Sequence, residues 1–105
     1  MSIQYSFSRL EAKEAKICDD NCEAGNICSL VVGMTATSGD YSAYIDGVTG
    51  CLNYSKEDFS GVIGQIANDF AAAQNFKETL SNQIFSKASK PINATNFVAP
   101  PITVN

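Results

Sequence analysis

The chain has 105 residues, 45% of them hydrophobic and 17% charged, which is the length and composition of one globular domain. It contains no histidine and one arginine, Arg9, and eleven acids against seven bases leave a net charge of −4. Without imidazole the usual Ser-His-Asp and Cys-His nucleophile systems and most catalytic metal sites are excluded, and without a basic cluster so is direct nucleic-acid binding.

The charge is uneven. Residues 1–58 hold nine acids and four bases, and residues 59–105 hold two acids and three bases. The imbalance reads as solubility or, more sharply, as an acidic face that steers the protein toward a basic partner such as a nuclease or another nucleic-acid-handling complex. No apolar run approaches the ~18 residues needed to span a bilayer. Met1 to Ser6 has neither a basic nor an apolar leader region, so cytoplasmic residence without a membrane partner is expected. On that expectation the Asn-x-Ser/Thr triplets at Asn53 and Asn93 are chance.

In chain order, Ile3, Tyr5 and Phe7 alternate with polar residues as a half-buried strand does. Residues 9–16 have high helix propensity and Ser8 with Glu11 fits a capping box, so a short helix competes there with a continued strand. Residues 18–26 read as a polar loop. Cys28, Leu30, Val32, Met34 and Ala36 then share one face of a strand. Ser38-Gly39-Asp40 is a turn, and Tyr41 to Ile45 runs back as its partner. Asp46-Gly47 predicts a second hairpin into Val48–Tyr54, with one long strand bulged at Gly47 or Gly50 as the alternative.

Ser55 is placed to cap a helix whose first turn is acidic, Lys56-Glu57-Asp58. Phe59, Val62, Ile63, Ile66 and Phe70 follow at helical spacing. One straight helix over 55–87 would be about 50 Å long. At about 100° per residue it would also put Lys77 inside the apolar stripe and Phe76 outside it. A break near Gln74-Asn75 is therefore predicted. Residues 91–105 carry three prolines and no charged side chain, and read as an edge strand or an extended arm. The fold class expected is α+β: an antiparallel three- or four-stranded sheet packed against one long bent helix or two helices. Residues 1–90 would form the domain and 91–105 a tail. The core is expected from Leu30, Val32, Met34, Tyr44, Ile45, Phe59, Ile63, Ile66 and Phe70.

Few residues offer chemistry. Cys18, Cys22, Cys28 and Cys51 contain one metal-type pair, Cys18-x₃-Cys22, with no histidine to complete a site. Reduced structural thiols are expected, with a disulfide or a metal as the alternatives. Asp19, Asp20 and Glu23 lack the glycine and glutamate that a calcium loop needs, since Ala24 and Leu30 stand at those positions. Asp46 and Asp69 lie near apolar residues but read as a turn residue and a solvent-facing helix residue. No phosphate-binding glycine loop occurs. No catalytic residue, metal or cofactor is assigned.

Opposite the helical stripe lie Ser60, Gly61, Gly64, Asn68, Ala71 and Ala72, all small. A smooth face of that kind admits close approach of a partner backbone, the alternative being a weak helix whose surface has drifted neutrally. Asp19, Asp20, Glu23 and Asp40 are taken as rim charges, and Gly61, Gly64 and Asn68 as contact positions.

The run from Asp40 to Cys51, with Tyr44-Ile45 and Gly50-Cys51, followed by the Glu57-Asp58 helix start, resembles the N-terminal domain of HicB-type antitoxins over about residues 28–72. Ser38-Gly39-Asp40-Tyr41 only approximates that family's acidic-Gly-aromatic turn, and no basic DNA-binding domain follows. The resemblance implies a partial RNase-H-like layer that binds and blocks a toxin nuclease.

The function expected is that of a small acidic non-enzymatic protein that binds and blocks a protein partner: an antitoxin, an immunity protein or a phage-encoded inhibitor of a host defence complex. The sequence also admits a homodimer. The alternatives are an assembly protein self-associating through its tail and a cysteine-based metal module.

Overall fold

The structure is a computed structural model that describes residues 2–16 and 21–89. It is α+β. Strands β1 (Gln4–Lys13), β2 (Ser29–Ser38) and β3 (Tyr41–Thr49) form an antiparallel sheet in the order β1-β2-β3, followed by helices α1 (Lys56–Ala73) and α2 (Phe76–Ser89). The expected edge strand or arm over 91–105 lies outside the described residues.

Residues 9–13 are strand and not helix. Their backbone pairs with Gly33 to Ser29 of β2, and pairing outweighs the local helix propensity, which is a weak prior. The register shifts between Phe7 and Arg9, so Ser8 is an extra residue that reverses the alternation. Tyr5 and Phe7 before it, and Leu10 and Ala12 after it, thereby lie opposite Ala36, Met34, Val32 and Leu30 on one face.

The expected hairpin at Asp46-Gly47 does not form. Tyr41 to Thr49 pair with Ser38 to Leu30 without a register shift. The tight turn is the earlier one, where Gly39 takes φ +59°. Gly47 serves packing instead of turning: a Cβ there would stand 3.1 Å from Phe70 Cζ. The bare backbone lets that ring reach the sheet, where it meets Phe76 edge-on with centroids 5.7 Å apart.

Both helices cover the same face. Leu80 and Ile84 of α2 are fully buried with Leu30 and Val32, and α2 lies over β2 and β3. Ser81 hydrogen-bonds to the Tyr5 hydroxyl, Lys77 stands over the Tyr5 ring, and Lys87 donates to the Ser42 carbonyl. These contacts run α2 antiparallel to β3, toward the Gly39 turn.

Ser55 caps α1 as predicted, its Oγ accepting from Asp58 N at 3.1 Å. The break also falls where the angular argument places it: α1 ends at Ala73 with Gln74 as its C-cap, Asn75 takes φ 55°, and α2 starts at Phe76. Phe76 is thus buried and Lys77 exposed.

Two core assignments are corrected. Tyr44 is 46% exposed, because neighbouring strand residues point to opposite faces and Ile45 takes the packed one. Ala71, expected on the outer face of α1, is buried with Phe59 and Ala67. The packed track follows the i+4 row through buried Phe59, half-buried Ile63 and buried Ala67 and Ala71, which turns the helix toward its small residues.

Candidate functional site

The expected reduced thiols are not found. Cys22 and Cys28 form a disulfide with Cα atoms 5.8 Å apart, Cys51 is also disulfide-bonded, and no described cysteine is free. Sulfurs held in disulfides are not thiolate ligands, so the metal-module alternative loses these three donors. Among the described residues no three His, Cys, Asp or Glu side chains gather as a metal group would. The spacing of the cysteines carried no signal of this pairing.

The cross-linked loop is tied to the entrance of α1. Ile27 and Tyr54 exchange backbone hydrogen bonds of 2.7 and 3.2 Å. Asn53 Oδ1 accepts from Glu23 N at 3.2 Å and from Asn26 Nδ2 at 2.8 Å, and Asn53 Nδ2 donates to the Asn21 carbonyl. Sequence reading treated Asn53 only as a chance triplet. Its structural role is to hold loop and helix entrance together.

The expected contact residues do not form one patch. Asp19 and Asp20 lie outside the described residues. Glu23 is exposed beside the α1 entrance. Asp40 is exposed at the β2–β3 turn, the other end of a ten-residue strand that spans roughly 30 Å. Gly61, Gly64 and Asn68 do share one exposed face of α1, and Asn68 Nδ2 donates to the Gly64 carbonyl at 2.9 Å. Asn68 and Ala72 continue into a cleft of about 500 Å³ at the α1–α2 elbow, floored by Met34 and Ala71 and edged by Asn75 and Lys77.

The sheet face away from the helices carries a polar network that sequence reading missed. Arg9 bonds both Glu11 oxygens, Nε–Oε2 at 2.6 Å and Nη2–Oε1 at 3.1 Å, and reaches Asp46 Oδ2 at 3.4 Å. Tyr44 Oη donates to the same Asp46 oxygen at 3.1 Å. Hydrogen bonding from Arg9 holds the Glu11 carboxyl below its ordinary range, and the same bond from Glu11 raises Arg9. Gly33 is the floor. A Cβ there would fall 2.8 Å from Arg9 Cβ and 2.9 Å from Tyr44 Cζ. The signal available in the sequence was the lone arginine two residues from an acid, but its partner on β3 depends on the register.

No protein-family model, curated protein or solved structure matches this chain. No helix among the described residues is long and apolar enough to cross a membrane.

Proposed function

We propose that this is a non-enzymatic binding protein that occupies and so blocks the surface of a partner macromolecule, its negative charge favouring a basic one. The observation that carries the reading is at Gly61 and Gly64. A Cβ added to either meets nothing within 4 Å, and neither has the positive φ seen at Gly25 and Gly39. Each weakens α1 by about 1 kcal/mol relative to alanine, and no fit among the described residues requires it. What both supply is a smooth outer face that another backbone approaches closely. Exposed Glu23 near the α1 entrance supports an acidic rim at that end.

The disulfides at Cys22–Cys28 and at Cys51 favour an oxidising compartment as the place of action, in preference to the cytoplasm. They therefore favour an inhibitor working outside the cytosol over the cytosolic antitoxin form, which rests on the HicB resemblance alone.

The test is affinity capture from cells that produce the protein, with wild-type and G61R/G64R baits matched for thermal stability. The reading predicts a stoichiometric protein recovered by the wild type and lost by the arginine pair. Equal recovery by both baits removes this face of α1 from the interface.

A further inference from the structure

Among the described residues no strand pairs with the outer edges of β1 and β3, and the two strands differ in how those edges are protected. An edge strand presents unpaired N–H and C=O groups, which proteins blunt with bulges and charges, lysine above all. β1 has both devices: the extra residue Ser8 and the charged side chains Arg9, Glu11 and Lys13. β3 has neither along most of its length. Its nine residues pair with β2 without a register shift, include no proline or basic residue, and carry one charge, Asp46. Lys87 covers the Ser42 carbonyl at one end only. Tyr44 and Val48 project from this strand at 46% and 45% exposure.

We propose that β3 is a self-association edge, on which a second copy of this chain pairs its own β3 antiparallel about a two-fold axis at Ile45. The two sheets then continue as one of six strands. The choice of a second copy, and of this register, follows from the side chains. An axis at Asp46 would set two carboxylates directly opposite each other, which is destabilising. An axis at Ile45 sets Tyr44 opposite the partner's Asp46, the phenol–carboxylate pair that this strand already makes within itself at 3.1 Å. Arg9 reaches that carboxylate from the far side, so it is not left uncompensated. Tyr44 also lies diagonal to the partner's Tyr44 and the partner's Val48, about 7–8 Å away and within reach of an aromatic ring. On the helix-covered face the two half-buried Ile45 side chains meet at the axis. A closed two-fold arrangement uses both copies of the edge and leaves none for further growth.

The experiment is sedimentation equilibrium on the full, oxidised chain from low micromolar to near-millimolar concentration, with amide exchange on the same samples. The molar mass rises from 11.2 kDa toward twice that value, and amides between Tyr44 and Val48 gain protection with concentration while those of β1 do not. Val48→Lys, at an exposed position, weakens the dimer about tenfold or more, since the edge lysine acts twice in a symmetric pair. A monomer at every concentration overturns the proposal. A dimer that protects β1 in place of β3, or one that folded Val48→Lys leaves unchanged, overturns it too. If Val48→Lys does not fold, the concentration dependence of the wild-type β3 amides decides.

Discussion

Phe70 seats on Gly47: a Cβ at residue 47 would come within 3.1 Å of Cζ and 3.2 Å of Cε2 of that ring. The contact joins the end of α1 to the edge strand, and through Phe76 it reaches the start of α2. Gly47→Val should therefore destabilise the protein by about 1–3 kcal/mol, the usual range for overpacking, despite valine's better strand propensity. Urea denaturation measures it. Wild-type stability would show that the ring moves aside freely and that the seat is not a constraint.

Gly33 and Tyr44 form the matching pair on the other face. Gly33→Ala should cost about 1–3 kcal/mol, because the new methyl meets both Arg9 Cβ and the Tyr44 ring. In a Tyr44→Ala background the same change should cost less. The double-mutant cycle gives the coupling directly, and strict additivity would mean that the tyrosine is not what excludes the side chain.

Asn53 holds the disulfide loop to the α1 entrance with three hydrogen bonds. Asn53→Ala should lower stability by about 1–2 kcal/mol and speed exchange of the Glu23 amide, while amides around the buried Leu80 remain slow. Replacing Cys22 and Cys28 by serine opens a short loop and should cost about 2 kcal/mol in the chain-entropy account. Chemical denaturation of each variant under non-reducing conditions checks both values.

The Arg9–Glu11 pair gives a pH dependence. Glu11 is held below the ordinary carboxylate range in the folded state by the hydrogen bond from Arg9. Its contribution is present above the unfolded-state value and is lost as pH falls through the folded one. Both side chains are exposed, so solvent screening keeps the stability effect small, and the resolved signal is the titration itself. Carbon-detected NMR should place the Glu11 midpoint below the ordinary glutamate range, and Arg9→Gln should move it up. A midpoint indifferent to Arg9 would contradict the pairing.

Much of the architecture was legible because it rests on local patterns. Leu30, Val32, Met34 and Ala36 recur at the period of two that sets them on one strand face, Ser55 stands before an acidic turn, and the angular conflict between Phe76 and Lys77 locates the break at Asn75. The misreadings occur where distant contacts override local ones. Asp46-Gly47 has the composition of a hairpin turn, but its glycine is needed under a ring 23 residues further on. Over Arg9 to Lys13, where helix and continued strand both stood open, pairing with β2 decides for the strand. Tyr44 is the exception, a local conflict: as neighbours in one strand, Tyr44 and Ile45 face opposite sides. Of the candidate site, the small face of α1 was visible from spacing, apart from Ala71, whose burial follows the tilt of the helix. The disulfide, the hub at Asn53 and the network around Arg9 all depend on proximity that no spacing encodes.

The account turns on the claim that Gly61 and Gly64 serve a partner and not the fold. Equilibrium urea unfolding of the G61A/G64A variant tests it without the partner in hand. With open space around both positions, the claim predicts a gain of about 1–2 kcal/mol over wild type, from the helix propensity of two alanines. A loss of stability would mean that the chain itself needs both glycines, and the reason for assigning this face to a partner would be gone.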